Sequence, residues 1–315
     1  MIRVGTRESK LARLQTDMVI AELQRKFGDA EFSVVPITTG GDKILDKPLA
    51  EIGGRGVFVK ELEEALFDDR VDFVVHSLKD LPTDLPTGLC LAAVLMRQDP
   101  RDVFISDKAA TIGDLPAGAT IATSSRRRAA QIAALRSDIK FVDMRGNIPT
   151  RLKKLRDPEQ GCDAMILAAA GILRLGETDQ IKAFLEPDQC TPAVGQGALA
   201  VECRSKDEDI KKMLAAIQCD DTRDEIEAER AFLGELGSGC SIPVGALARV
   251  DGDKLTILGC VAALDGSKIF RESISGNRSN AHSLGRQLAV KLAGQGAADV
   301  LEALKVSTPN IVSPP

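Results

Sequence analysis

Short apolar segments alternate with helical segments through the first two thirds of the chain, and this alternation limits the fold more than any other feature. IRVGT, FSVVPIT, VDFVVHSL and CLAAVL are typical of strands, and KLARLQTDMVIAELQRKF is typical of a helix. A second series, DVFIS, ATIATSS, IKFVDM and DAMILAAAG, encloses the helical segments RRRAAQIAALR and TRLKKLRD. Strands that are apolar throughout and separated by helices predict mostly parallel sheets covered on both faces.

The pattern changes after about Asp220. IPVGALARV and LTILGCVAAL are typical of strands, and Asp-Gly turns follow each of them, which favours an antiparallel sheet. The helical segment HSLGRQLAVKLAGQGAADVLEALK follows, and the tail VSTPNIVSPP is polar and rich in proline. We therefore predict an α/β protein with two α/β lobes and a smaller C-terminal α+β domain.

Composition excludes several classes of function. The formal net charge is −5, and the 315 residues include ten Phe but no Trp or Tyr. Nucleic-acid binding depends on phosphate neutralisation and base stacking, so no nucleic-acid partner is expected. No apolar run approaches the roughly 20 residues that span a bilayer, and MIRVGTR lacks the apolar core of a signal peptide. We therefore expect a cytoplasmic protein with no membrane partner.

The seven cysteines form no CxxC motif or Cys/His cluster, and the chain has only two histidines. Neither a metal site nor a disulfide framework is expected from this spacing. Cys240 differs from the others because it lies in the glycine-rich stretch GSGCSIPVG, where a turn would display its side chain. Composition leaves two interpretations open: an incidental loop cysteine, or a point of covalent attachment.

The stretch ATSSRRRAAQIAAL places three arginines in the first turn of a helix that Ser124 or Ser125 would cap. The helix dipole is positive at that end, so each exposed cation costs about 0.3–1 kcal/mol. An anion bound at the helix N-terminus would reverse the sign of this interaction. Successive helical residues are turned by about 100°, so all three arginines cannot face one ligand. A solvated basic helix start is the alternative.

Further arginines lie just beyond predicted strands. Arg7 lies between a strand and a helix, Arg145 forms a turn after a strand, and Arg151 opens the next helix. Arg174 follows an apolar strand that is expected to end at Gly171. In open α/β sheets, ligands bind at the carboxyl ends of the strands. Each arginine taken singly is also compatible with an ordinary surface position. Together they favour a ligand that carries several carboxylates or phosphates.

VDFVVHSLKDLPTDLP adds an acid to this edge, because Lys79 and Asp80 follow a buried strand. Beside an arginine-lined cleft, Asp80 is the candidate general acid/base, and nearby cations would hold it ionised. A solvated Lys-Asp turn is the alternative. His76, inside the apolar run, is expected to be a packed residue.

At these residues the sequence resembles the porphobilinogen deaminase (hydroxymethylbilane synthase) family. The motifs that carry the resemblance are IRVGTRESKLA, TTGGDKIL, FVKELE, VVHSLKDLPT, TSSRRRAAQ, RGNIPTRL, AAAGILRLG, PAVGQGALAVECR and GCSIPVG. The resemblance implies that four porphobilinogen molecules are condensed head to tail into hydroxymethylbilane with release of ammonia. It also implies a covalent dipyrromethane cofactor, joined by a thioether to Cys240, on which the product is built.

The resemblance assigns a role to each site residue. Asp80 would be catalytic: it would assist loss of the amino group, stabilise the positive azafulvene-like intermediate and then help deprotonation. Cofactor binding is implied for Cys240, Lys79, Thr123, Ser124, Ser125, Arg127, Arg128 and Arg145. Substrate binding is implied for Arg7, Ser9, Arg145, Arg151 and Arg174. The acetate and propionate of every porphobilinogen explain the number of arginines, whose bidentate pairing lysine cannot reproduce.

The family's architecture agrees with the pattern of strands and helices. Its first two domains resemble the hinged two-lobe periplasmic binding proteins, and a third α+β domain carries the cysteine loop. The expected domains are 1–96 with 197–216, which form a discontinuous first lobe, 100–192 as the second lobe, and 219–315. The protein is expected to be a monomer.

Three positions depart from the family pattern. Arg126 stands where members usually have an apolar residue, so we leave it out of the site. Glu51 lies where many members have a basic residue, in a glycine-rich stretch (38–58) that is either a lid or simply mobile, and Gly40 replaces an arginine of some bacterial members. Two rival functions are a non-catalytic two-lobe anion-binding module and a thiol-nucleophile enzyme, although the latter would need a histidine base near Cys240.

Overall fold

The structure, a computed structural model, describes residues 1–43, 58–237 and 242–307. These residues form two mixed five-stranded sheets and one three-stranded antiparallel sheet, each packed against helices. The predicted fold class, two α/β lobes with a smaller C-terminal α+β domain, is confirmed. Within the described residues no helix is both long and apolar enough to cross a membrane.

The elements follow in chain order. The strands are β1 (Ile2–Arg7), β2 (Phe32–Ile37), β3 (Phe73–Ser77), β4 (Leu89–Val94), β5 (Asp102–Ile105), β6 (Thr120–Ala122), β7 (Lys140–Val142), β8 (Ala164–Ala168), β9 (Ala183–Leu185), β10 (Leu199–Arg204), β11 (Val244–Asp251), β12 (Lys254–Ala262) and β13 (Ile269–Asn277). The helices are α1 (Lys10–Phe27), α2 (Gly40–Lys43), α3 (Lys60–Phe67), α4 (Arg126–Leu135), α5 (Ile148–Leu155), α6 (Ala169–Leu175), α7 (Glu208–Ala215), α8 (Asp220–Glu235), α9 (Ala281–Leu292) and α10 (Ala298–Ser307).

The first lobe is built on the sheet order β2-β1-β3-β10-β4, and the second on β7-β6-β8-β5-β9. In each sheet the first three strands run parallel, and the last two pairings are antiparallel. The expectation of mostly parallel sheets is therefore wrong for half of the pairings. The reason is that the chain crosses between lobes after β4 and again before β10. The strand that follows each crossover, β5 in the second lobe and β10 in the first, enters its sheet in the opposite direction and is antiparallel to both of its neighbours.

The two crossovers are tied to each other and to α8. Arg97 on the outgoing segment donates from Nε to the backbone oxygen of Gln196 on the returning one (2.9 Å). Its Nη1 lies 2.6 Å from Oε1 of Glu229, a fully buried residue of α8. Glu229 also accepts from the backbone N–H groups of Gly195 (2.7 Å) and Ala248 (2.8 Å). One carboxylate thus joins both crossovers to the C-terminal domain.

The C-terminal domain packs α8 and α9 on one face of the β11-β12-β13 sheet. The two helices approach closely at Gly285, where an added Cβ would lie 2.1 Å from the backbone oxygen of Ala228. The sequence patterns did not predict α8. They predicted one continuous closing helix, but a π-helical turn separates α9 from α10. Gly296 in this turn has a positive φ of 110°, a conformation that glycine adopts without steric cost.

Candidate active site

In the first lobe, the predicted site residues follow two parallel strands at the same sheet edge. Arg7 ends β1, and Ser9 caps α1 by accepting a hydrogen bond from the backbone N–H of Ala12 (3.2 Å). Lys79 and Asp80 lie in a single 3-10 turn directly after β3. The guanidinium of Arg7 lies 4.1 Å from the ring centroid of Phe58. The carboxyl ends of β1 and β3 therefore present one acid and two cations together.

In the second lobe, the predicted residues also follow parallel strands. Thr123 and Ser124 follow β6, and Ser125 caps α4 by accepting from the N–H of Arg128 (3.4 Å). Arg145 follows β7, and Arg151 on α5 donates from Nε to the backbone oxygen of Gly146 (2.7 Å). Gly146 needs a positive φ (122°), and an added Cβ would lie 2.9 Å from the Thr150 side chain.

The two edges face each other across a cleft. The charges of Arg127 and Arg128 in the second lobe act on Lys79 in the first. The charge of Asp80 likewise acts on Arg151 across the same space. Separate segments of the chain therefore bring Lys79, Asp80, Arg127, Arg128 and Arg151 to one place, which spacing in the sequence could not establish.

Asp102 was not predicted from the sequence, yet it organises the arginines of α4. Its fully buried carboxylate lies 2.7 Å from Nη1 of Arg127 and 2.8 Å from Nη2 of Arg128. It also accepts from Nε2 of Gln196 (2.9 Å) on the returning crossover. Burial opposes its ionisation, but the two guanidinium groups hold its pKa well below the usual range. The signal was available: Asp102 is an acid in the otherwise apolar strand DVFI.

The sequence suggested that the arginines of α4 pair with an anionic ligand. The carboxylate of Asp102 supplies part of that negative charge from within the protein. Arg127 and Arg128 are 5% and 7% exposed. Arg127 uses only Nη1, which also donates to the backbone oxygen of Thr191 (2.7 Å), and its Nε and Nη2 make no hydrogen bond within the described residues. Since a guanidinium has five N–H donors, donors remain for a ligand. Arg126, which we left out of the site, contacts no described residue through a hydrogen bond or ion pair.

Lys79 carries a weakened charge. Its pKa is lowered to about 8, chiefly by burial and also by the neighbouring cations Arg128 and Arg127, while Asp80 and Asp102 act in the opposite direction. Burial, together with the charges of Arg128 and Arg145, lowers the pKa of Arg151 to about 10. Both groups would gain from an anionic ligand, which would relieve the repulsion between cations.

Asp80 is half-buried and makes no hydrogen bond or ion pair within residues 1–43, 58–237 and 242–307. Other acids near the cleft, such as Asp102, already have several partners. The oxygens of Asp80 are therefore available to accept or give a proton.

Arg174 lies on α6 and not directly after a strand. The predicted strand DAMILAAAG ends at Ala168, and α6 begins at Ala169. Nη2 of Arg174 donates to the backbone oxygen of Gly197 (2.7 Å), but its Nε is buried without a partner. Burial lowers its pKa to about 10. A buried donor without an acceptor is costly, and a ligand carboxylate would satisfy it.

The hydroxyl groups of Thr123, Ser124 and Ser125 differ in whether their protons already take part in a hydrogen bond. Ser124 donates its proton to the backbone oxygen of Met144 (3.2 Å). Thr123 and Ser125 only accept, from the N–H groups of Ser125 (3.2 Å) and Arg128 respectively. Their O–H protons remain available to an anionic ligand.

Cys240 lies outside the described residues, as do Glu51 and positions 44–57 of the glycine-rich stretch. The described chain on either side of Cys240 is held in the C-terminal core, because Leu236 and Ile242 both pack against it. His76 is 4% exposed and lies 2.9 Å from Glu202, so the expectation of a packed histidine is confirmed. No group of three metal-ligating side chains occurs in the part of the chain that the structure describes.

Comparison with known proteins decides the family. A family model described as "Porphobilinogen deaminase, dipyromethane cofactor binding domain" matches residues 2–212. A second, "Porphobilinogen deaminase, C-terminal domain", matches residues 224–294. The chain belongs to the porphobilinogen deaminase family. As a porphobilinogen deaminase it polymerises porphobilinogen into hydroxymethylbilane on a dipyrromethane cofactor, and the alternative of a non-catalytic binding module is not favoured.

Solved structures similar to this porphobilinogen deaminase chain include the methionine binding protein MetQ, with 14% identity, 71% of this chain and 92% of that chain covered, and a TM-score of 0.45. Immunogenic lipoprotein A from Vibrio vulnificus has 13% identity, with 70% and 96% covered and a TM-score of 0.45. A nutrient binding protein from Burkholderia cenocepacia bound to methionine has 16% identity, with 72% and 95% covered and a TM-score of 0.43.

Proposed function

We propose that the chain is a hydroxymethylbilane synthase in which Asp80 is the acid–base residue. The observation that carries this proposal is the environment of Asp80: an acid without a hydrogen-bond partner among the described residues, next to Lys79 and within the electrostatic reach of Arg151. Loss of an amine from porphobilinogen needs a proton donor and leaves a cationic pyrrole species. A single carboxyl group can give the first proton, stabilise that cation as a carboxylate, and accept the proton released after the new bond forms.

The cations of the cleft are proposed to bind the acetate and propionate groups of the rings. Arg127 retains unused donors, and the buried Nε of Arg174 lacks an acceptor. Arg145, Arg151 and Arg7 extend the same charge along both edges of the cleft. Because many carboxylates must be bound at once, arginine is favoured over lysine for its bidentate geometry.

These residues fit a dipyrromethane, which carries carboxylates on both rings and pyrrole N–H groups. When bound, the group supplies the end of the chain to which new rings are added. We propose that Lys79, Thr123, Ser124, Ser125, Arg127, Arg128 and Arg145 hold it and that Cys240 attaches it through a thioether. This proposal requires hydrogen-bond donors from both lobes to reach the same cofactor. The electrostatic interaction of Lys79 in the first lobe with Arg127 and Arg128 on α4 supports it.

The domain boundaries remain proposals: 1–96 with 197–216, 100–192 and 219–315. The pairing of β10 with β3 and β4 supports the return of the chain to the first lobe. We also propose that the protein is a monomer in the cytoplasm. Light scattering on the purified protein tests whether it is a monomer.

The role of Asp80 is tested with Asp80→Asn, which keeps the shape of the side chain and removes its charge. We expect kcat for ammonia release from porphobilinogen to fall by about 10²–10⁴-fold, with the cofactor still attached. Asp17→Asn, at an exposed aspartate of α1, is the matched control and should keep full activity. Equal rates in the two variants would exclude Asp80 as the acid–base group.

Cofactor attachment is tested by intact mass. The purified protein should carry an additional mass equal to two linked pyrrole units, and Cys240→Ser should lack it and be inactive. Cys219→Ser, at the N-cap position of α8, should retain the additional mass. An unmodified wild-type protein with full activity would contradict the proposed attachment.

A further inference from the structure

Two thiols face each other at the edge of the first sheet. Sγ of Cys90 on β4 lies 3.8 Å from Sγ of Cys203 on β10. The strands are antiparallel, and these two residues are directly opposite in the register. The backbone N–H of Ser205 donates to the oxygen of Gly88 (2.8 Å), so by alternation Cys90 and Cys203 form a hydrogen-bonded pair.

This geometry is suitable for a disulfide. The Cα atoms of a hydrogen-bonded antiparallel pair are about 5.5 Å apart, which is near the commonest separation in disulfides. The two side chains already project from the same face of the sheet, where they pack with α7 residues Ile210, Met213 and Leu214. The sulfurs must approach from 3.8 Å to about 2.05 Å, which rotation of the two side chains achieves together with a small approach of the strands.

The two thiols differ in exposure. Cys90 is on the edge strand and half-buried, whereas Cys203 is fully buried. Burial raises the pKa of Cys203 to about 12, with a further contribution from Cys90 itself. A dissolved oxidant will therefore meet Cys90 first, and Cys203 is placed to react with whatever forms there.

We propose that Cys90 and Cys203 are a redox-active pair that glutathione disulfide converts into a reversible disulfide. The Cys90 thiolate attacks one sulfur of the oxidant and releases one glutathione thiolate, which leaves a mixed disulfide. Cys203, once its buried thiol has lost its proton, then attacks Sγ of Cys90, forms the intramolecular bond and releases the second glutathione thiolate. This second step is slow at neutral pH because the pKa of Cys203 is about 12. The two protons lost by the cysteines protonate the two glutathione products, so one disulfide is exchanged for another.

The position of this pair gives the bond a structural consequence. The second sheet lies between Cys90 and Cys203 in the chain, with the two crossovers on either side. A bond across their 113-residue separation would hold β4 and β10 together at the ends of these strands that lie away from the crossovers. It would also restrict the unfolded chain, so the oxidised protein should melt at a higher temperature. No residue of the proposed active site takes part in this bond.

The test uses the complete purified protein, first reduced and then incubated with glutathione disulfide at micromolar protein concentration. We expect intact mass to show the loss of two hydrogen atoms and non-reducing digestion to show one linked peptide pair containing Cys90 and Cys203. Dithiothreitol should reverse both. Cys90→Ser should prevent the link, Cys203→Ser should stop at a glutathione adduct on Cys90, and Cys162→Ser, at a thiol in the second lobe, should leave it unchanged.

Two results would overturn the proposal. One is a wild-type protein that stops at the glutathione adduct or links a different pair of cysteines. The other is a Cys90–Cys203 disulfide that forms but leaves the melting temperature of the oxidised wild type equal to that of the reduced wild type. Cys90→Ser, treated in the same way, is the control that cannot form the bond. Neither outcome depends on the proposed enzymatic activity, because the readouts are mass, peptide identity and melting.

Discussion

Asp102 and Arg127 form a buried ion pair, with Oδ2 2.7 Å from Nη1, at the start of the helix that carries three consecutive arginines. Arg128 binds the other oxygen of the same carboxylate (Nη2–Oδ1, 2.8 Å). The helix start therefore carries an internal counter-charge, and its remaining N–H donors are held in defined directions. Preorganisation of this kind is what a site for several carboxylates requires.

Asp102→Asn tests this pairing. The variant leaves two buried guanidinium groups without their anion, so we expect the free energy of unfolding to fall by about 3–5 kcal/mol, measured by urea denaturation. Asp138→Asn removes an exposed partner of Arg136 (2.7 Å) and should have little effect, because solvent screens that pair. If the free energy of unfolding falls by a similar amount in the two variants, the buried ion pairs of Asp102 contribute no more to stability than an exposed pair.

Lys79 predicts a pH dependence of cofactor positioning. Because its pKa is about 8, the ammonium is charged below this pH and loses its charge as the pH rises through it. The carboxylates of the dipyrromethane should therefore be held less firmly above pH 8, seen as a fall in kcat in assays on both sides of that value. Lys79→Met should remove this part of the profile, whereas Lys26→Met, at an exposed lysine of α1, should keep it.

Glu63 predicts a pH dependence of stability. Its pKa is raised to about 7, chiefly by burial and also by the charge of Glu202, while His76 opposes the shift. Ionisation therefore costs stability in the folded state, and the cost appears as the pH rises from the ordinary glutamate range through 7.

Glu63→Gln should accordingly stabilise the protein at pH 8 and have little effect at pH 5. We expect about 1–2 kcal/mol at the higher pH, after allowance for the partial exposure of the side chain. Chemical denaturation at the two pH values measures it. The neighbouring exposed Glu64→Gln is the control, and a gain of equal size at both pH values would argue against a titrating Glu63.

The Arg97–Glu229 pair (2.6 Å) predicts a large structural effect. Glu229→Gln would leave Arg97 buried without its main counter-charge at the crossovers, so unfolding free energy should drop by about 3–5 kcal/mol. Glu235→Gln, which removes the exposed partner of Arg286 (2.7 Å), serves as the comparison. If thermal and urea unfolding do not separate the two variants, the crossovers do not depend on Glu229.

Sequence patterns located many of the site residues because strand ends and capping residues have local signatures. Ser9 and Ser125 act as helix caps, and Asp80 follows β3 directly. Asp102 and Gln196 were not found, since their importance lies in contacts with α4 that are distant in sequence. Arg174 was placed on the wrong kind of element because a buried run of alanines is compatible with either a strand or a helix.

The class of fold, the family and the cationic character of the cleft could be inferred from the amino-acid sequence alone, because apolar periodicity and short motifs are local properties of the chain. Tertiary structure decided which cations share a carboxylate, which donor is left without a partner, and which thiols face each other. Asp102 meets Arg127 and Cys90 meets Cys203 only after the chain has crossed between lobes and returned. Such contacts depend on sheet register and crossover geometry, which no local pattern encodes.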